Sequence, residues 1–117
     1  MGGNLVENGK SYNYNNGKEI ICEACEYKDS FLYFTPKISV ILNIVPEHLD
    51  YFKNFGNIVK SFNQFASNSH IVICEKSTKH LLKAKTITFG LDNANFTAKD
   101  VHMLNNGTYS FNCHKDG

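Results

Sequence analysis

At 117 residues and 42% hydrophobic, the chain carries enough apolar residues for one packed core and too few residues for two ordinary domains. Twelve Lys and Arg against eleven Asp and Glu leave a formal charge of +1 with no run of like charge, so the electrostatic footprint of a nucleic-acid or membrane-surface binder is missing. The longest apolar run, Ile38 to Val45, falls far short of the roughly 20 residues that span a bilayer, and "MGGNLVENGK" has no apolar core behind a positive charge, so no secretory signal is read and a cytoplasmic location is expected.

Residues 1–18 hold five Asn and four Gly, with the turn signal "NNG" at Asn15 to Gly17, and read as a loop or weak hairpin arm. Glu19 to Ala24 is the first expected strand. Lys28 to Phe34 reads as a short helix with Asp29 as its amino-terminal cap, stopping before Pro36. Ile38 to Ile44 is the second strand, apolar almost throughout, so burial on both faces is expected. After a turn at Pro46, Asn54 to Asn68 places Ile58, Phe62 and Phe65 at i, i+4 and i+7, the stripe of an amphipathic helix that lies on a sheet.

His70 to Cys74 is the third strand, Thr78 to Ala84 a short helix and Thr86 to Gly90 the fourth strand. This alternation predicts a parallel, right-handed α/β layer over residues 19–90. Asn95 to Leu104 and Thr108 to Cys113 flank a second "NNG", Asn105 to Gly107, and predict an antiparallel hairpin over 95–113 that packs as a separate element. The fold class is therefore α/β: a mostly parallel sheet with flanking helices plus a C-terminal antiparallel hairpin, in a single domain 1–117.

The four cysteines, Cys22, Cys25, Cys74 and Cys113, are expected to be free thiols, since nothing suggests export and a core of this size needs no staple. "CEAC" has the spacing of redox and zinc sites, but no second pair at metal-ligand spacing follows it. On an extended segment its two thiols point to opposite faces, which counts against a redox pair. "NFT" at Asn95 and "NGT" at Asn106 match the glycosylation acceptor pattern, which matters only in an exported protein.

Glu23 and Glu26 lie where the first expected strand ends, and His48 and Asp50 lie just after the second. Open α/β sheets bind ligands at the carboxyl ends of their strands, so parallel neighbours bring both groups to one edge. A carboxylate and an imidazole there suit a divalent cation. Magnesium keeps several waters and relies on substrate phosphates, so few protein ligands suffice, although imidazole is an unusual ligand for it. The plainer reading stays open: two solvated glutamates and a histidine that caps the next helix.

At these residues the chain resembles a family. "EACEYKDSFL" followed by "NIVPEHLDYF" is similar to the central, ATP-binding domain of the Mur ligases, most closely the subgroup that joins L-alanine to UDP-N-acetylmuramate. The likeness continues more weakly through "FNQFA", "TITFG" and "GTYSFN". It implies an enzyme of peptidoglycan precursor synthesis that activates a carboxylate with ATP to an acyl phosphate, which an amine then attacks. By position, the family's metal-binding glutamate and histidine match Glu23 and His48, the expected catalytic and magnesium-binding pair. Asn4, after "GG", is implied to face the substrate, and Glu26, Ser30, Asn43 and Asp50 match recurrent motif positions and are carried as substrate-binding candidates.

Two departures stand out: Lys28 occupies the usual Asp position, with Asp29 directly behind it, and Glu47 replaces the Asp before the histidine. The chain contains no G-x-x-x-x-G-K-[ST] phosphate loop, which in the family precedes the segment beginning at Gly2. The chain is accordingly expected to be a piece of a ligase, inactive alone, with the rest of the ligase chain, ATP, UDP-N-acetylmuramate and L-alanine as its partners. A non-catalytic binding module, a sibling ligase adding a preformed peptide, a thiol redox protein and a structural interaction domain are the alternatives.

Overall fold

Short β-branched runs build the sheet. The computed structural model describes residues 9–13 and 16–116, in which β1 (Ile38–Ile41), β2 (Ile71–Glu75) and β3 (Thr86–Gly90) pair in parallel in that order. The register sets Ile38 beside Ile71 and Ile73 beside Ile87 on one face, and Ile41 beside Cys74 on the other.

Between β1 and β2 lie α1 (Leu49–Phe52), a single turn, and α2 (Phe55–Ser67). Asn54 caps α2, its Oδ1 accepting from the Asn57 N–H at 3.0 Å. The buried side of α2 presents Ile58, Phe65 and Ala66. Phe31, from the turn before β1, stacks on Phe65 at 4.7 Å and meets Phe62 edge-on at 5.1 Å. With Ile41, Val72 and Cys74 these residues form the core against one face of the sheet. Asn63 then ties α2 to the chain after β2, donating to the Leu81 carbonyl at 2.9 Å and accepting from the Lys83 N–H at 2.8 Å.

β4 (Phe96–Met103) and β5 (Tyr109–Lys115) form the antiparallel hairpin, completing a sheet of order β1-β2-β3-β4-β5. The hairpin is not a separate element: β4 joins β3 in parallel through Phe89–Phe96 and Gly90–Thr97. A full parallel pair needs a crossover of a dozen or more residues. Here the overlap is two residue pairs, so a short loop suffices. Asn95 stitches that loop, its Oδ1 accepting from the Thr88 N–H at 2.9 Å and its own N–H donating to Thr88 Oγ1 at 3.1 Å.

The structure departs from the sequence pattern at several other elements. Glu19 to Ala24 is not a strand; it runs without regular structure, with Ile20 and Ile21 92% and 98% exposed. Among the described residues nothing pairs with the outer edge of β1, and β-branched residues make a strand only where there is a neighbour to pack and bond against. The 19–90 layer thus begins at Tyr27. The expected second strand ends at Ile41 rather than Ile44, and it is buried on one face only: Ser39 and Ile41 are covered, Ile38 and Val40 are not. Asp29 caps nothing, because it and Lys28 interrupt the 3-10 segment Tyr27–Tyr33 with left-handed backbone, φ 59° and 54°. The expected helix Thr78 to Ala84 is a 3-10 turn, Lys76–Leu81, capped by Glu75, which accepts from the Ser77 N–H at 2.7 Å. All four cysteines are free, and Cys74 alone among them is buried. No helix among the described residues is long and apolar enough to cross a membrane.

Candidate metal centre

The chain leaves β1 at Ile41 and is pinned again by Ile44, which is buried. Between Ile44 and α1 it turns sharply, the Glu47 N–H donating to the Val45 carbonyl at 2.8 Å. His48 follows with left-handed backbone, φ 52°, ψ 40°. Its carbonyl accepts from the Tyr51 and Phe52 N–H groups at 3.0 Å, so the backbone of His48 starts α1. Its side chain makes no cap bond. The imidazole is instead directed to the other motif, Nε2 lying 3.4 Å from Glu26 Oε1.

Glu26, Glu47 and His48 form the one group of three metal-ligating residue types found among the described residues, with candidate ligand atoms within 4.8 Å of one another. Ligands about 2.1 Å from a magnesium ion lie about 3 to 4.2 Å apart, so a small side-chain adjustment brings these three around one ion. Two carboxylates and an imidazole also leave positions open for water or phosphate oxygens. The donor set fits the cation expected here. The side chains of Glu26 and His48 are 28% and 37% exposed, so an ion there is reachable from solvent.

Aromatic packing and carboxylates surround the cluster. The Tyr27 ring lies 4.8 Å from the His48 ring, tilted by 38°. The Tyr27 hydroxyl donates to Asp50 Oδ2 at 3.2 Å, and the Tyr51 hydroxyl donates to Asp29 Oδ2 at 2.6 Å. The Ser61 hydroxyl on α2 donates to the other oxygen of Asp29. Each tyrosine hydroxyl donates a hydrogen bond to a carboxylate, and that bond, by favouring the neutral phenol, holds both hydroxyls above the ordinary phenol range. A cleft of about 400 Å³ opens on the Asp29 side, between Tyr51 and Lys60.

The sequence-derived residues are distributed as follows. Glu26 and His48 meet directly, and Asp50 joins them through Tyr27. Ser30 serves its own turn, donating to the Tyr27 carbonyl at 2.7 Å. Asn43 is exposed on the path from β1 to Ile44. Glu23 is exposed, three residues ahead of Glu26, and is not one of the three clustered groups. Asn4 lies outside the described residues. Glu47 and the Tyr27, Asp29, Tyr51 and Ser61 contacts were not singled out by sequence. The signal for the tyrosines was present as Tyr-x-Asp in one motif facing Asp-Tyr in the other.

A family model described as the Mur ligase middle domain matches residues 7–117. The chain is 39% identical over 127 aligned residues to the UDP-N-acetylmuramate--L-alanine ligase of Caldanaerobacter subterraneus subsp. tengcongensis, covering 100% of the chain and 28% of that protein. It is 37% identical to the ligase of the same name from Clostridium beijerinckii, covering 100% of the chain and 28% of the relative. It is 38% identical to that of Acetivibrio thermocellus, covering 99% of the chain and 27% of the relative. The chain spans a little over a quarter of the length of these relatives. A match over residues 7–117, nearly the whole chain, shows that this chain belongs to the Mur ligase family, as a middle-domain segment.

Proposed function

We infer that the chain is part of an ATP-dependent, amide-forming ligase of peptidoglycan precursor synthesis that joins L-alanine to UDP-N-acetylmuramate. The observation that carries this reading is the contact between Glu26, ahead of the 3-10 segment, and His48, ahead of α1, in a chain similar throughout its length to ligases of that name. In the reaction, the substrate carboxylate attacks the terminal phosphorus of ATP and ADP leaves. The amine of alanine then attacks the acyl phosphate, and phosphate leaves. Magnesium, when bound, supplies positive charge beside the phosphate oxygens, where it favours phosphoryl transfer.

The residues that would hold it are His48 with Glu26 and Glu47, which the geometry supports, and Glu23, which the family motif supports. His48 and Glu26 orient each other. Asp50 anchors Tyr27 beside the imidazole. Ser30 keeps the turn closed, and Asn43 and Asn4 are carried as substrate contacts from the motif alone. A cytoplasmic setting suits nucleotide-dependent chemistry of this kind.

The test is steady-state amide formation by the whole ligase carrying this segment, with Glu23→Ala, Glu26→Ala and His48→Ala variants at saturating magnesium. His48→Ala should lower kcat by about 100-fold with a small effect on KM, because charge stabilisation is lost mainly in the transition state. The larger loss of the two glutamate variants identifies the main carboxylate ligand. Near-normal turnover in a folded His48→Ala enzyme rejects the metal assignment.

One observation favours a second, narrower reading for the chain by itself. It contains no phosphate loop of the G-x-x-x-x-G-K-[ST] type, whose backbone amides and lysine hold nucleotide phosphates. The isolated chain is therefore proposed to bind magnesium ATP weakly and to turn none over. Calorimetry giving low-micromolar ATP binding would overturn this.

A further inference from the structure

Segments 26–29 and 48–51 are joined by two hydrogen bonds that cross. Tyr27 on the first donates to Asp50 on the second, and Tyr51 on the second donates to Asp29 on the first. A single such bond leaves the segments free to swing about it; two bonds at separate points, Tyr27–Asp50 and Asp29–Tyr51, restrict that freedom. The donors sit at the ends of stiff side chains with two torsions, so little conformational entropy is lost in placing them. The acceptors are carboxylates, whose hydrogen bonds are roughly twice as strong as neutral ones.

The bonds span backbone that needs external support. Lys28, Asp29 and His48 all lie in the left-handed region, with φ of 54°, 59° and 52°. None is glycine, and such residues persist there when surrounding structure over-determines them. Asp29 is held on both oxygens, by Tyr51 and by Ser61 of α2, which ties the crossed pair to the core. The residues held in this way adjoin the cluster: Glu26 directly precedes Tyr27, and His48 lies two residues before Asp50. The Tyr27 ring itself packs on the imidazole.

We propose that this crossed tyrosine–aspartate clasp is the positioning device of the metal centre: Tyr27, Asp29, Asp50 and Tyr51 hold Glu26 against His48 and thereby set divalent-cation affinity without touching the cation. The proposal rests on the reading of Glu26, Glu47 and His48 as a cation site. It assigns the two hydroxyls and two carboxylates a role that neither motif assigns them. Groups that orient metal ligands commonly change affinity by about 10- to 100-fold when removed.

The 117-residue chain carries the test, with Mn²⁺ as the probe because carboxylate-rich sites accept manganese as well as magnesium. Free Mn²⁺ is followed by electron paramagnetic resonance. In the metal-free protein, the nuclear Overhauser contact between the Tyr27 and His48 rings reports the geometry directly. Tyr51→Phe and Tyr27→Phe, which each remove one oxygen, should weaken Mn²⁺ binding by about tenfold and diminish the ring contact. Asp50→Asn, which keeps an acceptor for Tyr27, should retain most of the affinity that Asp50→Leu loses. Tyr33→Phe, at a ring 90% exposed and outside the clasp, is the control and should change nothing.

Thermal melts establish that each variant is folded, and the two Tyr→Phe changes provide independent routes should one fail. Unchanged Mn²⁺ affinity and an unchanged ring contact in both overturn the clasp. If the unaltered chain binds no Mn²⁺, the cation reading falls. The ring contact then judges the clasp separately: its loss in Tyr51→Phe keeps the clasp, and its persistence removes it.

Discussion

Both faces of the parallel sheet carry β-branched apolar residues, yet the two faces end differently. On one, Ile41, Val72 and Cys74 are 2%, 4% and 0% exposed beneath α2 and Phe31. On the other, Ile38, Val40 and Ile71 are 49%, 55% and 39% exposed. Parallel sheets are ordinarily covered on both faces, and their strands read as continuous apolar runs for that reason. A β-branched run therefore reports a capacity for burial, while burial itself depends on what lies across from it. α2 has one apolar stripe and covers one face.

The sharpest way to break this contrast is at Phe31, which is 1% exposed and contacts both Phe62 and Phe65. Phe31→Ala should cost about 3–5 kcal/mol in chemical denaturation, through lost transfer energy and a cavity that the helix cannot collapse to fill. Adjacent positions on one strand give the direct comparison. Ile41→Ala should cost about 2–5 kcal/mol, whereas Val40→Ala, one residue away on the open face, should stay near 0.5 kcal/mol or below. Equal losses at the two positions would show that both faces are covered in solution.

Smaller effects test how the covering layer is held in place. Asn54→Ala removes the acceptor for the Asn57 N–H and should lower stability by about 1 kcal/mol. Tyr51 offers a pH test with a definite sign. Its hydrogen bond to Asp29 raises the folded-state phenol pKa, so its contribution is complete below the ordinary phenol range and is lost as pH rises through the raised value. Ultraviolet phenolate absorbance should show two tyrosines, Tyr27 and Tyr51, titrating late, and Asp29→Ala should bring Tyr51 back into the ordinary range while Tyr27 stays late.

Much of the covered side was legible in the sequence. The Ile58, Phe62, Phe65 stripe with Asn54 ahead of it specifies α2 through its period and its cap, and Thr86–Gly90 was read with the bounds it has. The second "NNG" set the hairpin. Glu19 to Ala24 was misread because a β-branched pattern carries no information about whether a partner strand is present. The junction of the hairpin with β3 was hidden because it depends on a side chain, Asn95, bonding the backbone of Thr88.

At the site, Glu23, Glu26 and His48 stand out in the sequence as polar groups just beyond apolar runs, with Glu23 and not Glu26 expected beside His48, whereas the structure clusters Glu26 and Glu47 with it. Glu47 was passed over as a conservative replacement beside the histidine. The crossed tyrosine bonds were hidden for a physical reason: they link residues 22 and 23 apart in sequence, across left-handed turns built without glycine. Local propensity does not announce such turns, because long-range contacts impose them.

The narrow junction between β3 and β4 has a dynamic consequence. Two residue pairs and the Asn95 stitch are what join the hairpin to the parallel strands, and every residue of β5 is exposed. Local opening free energy follows buried apolar contact, of which this hairpin has little beyond Thr97 and the adjoining loop residue Ala94. The hairpin should therefore open at lower free energy than the Phe31–Phe65 core, and amide hydrogen exchange should be faster across β4 and β5 than across β1 and β2.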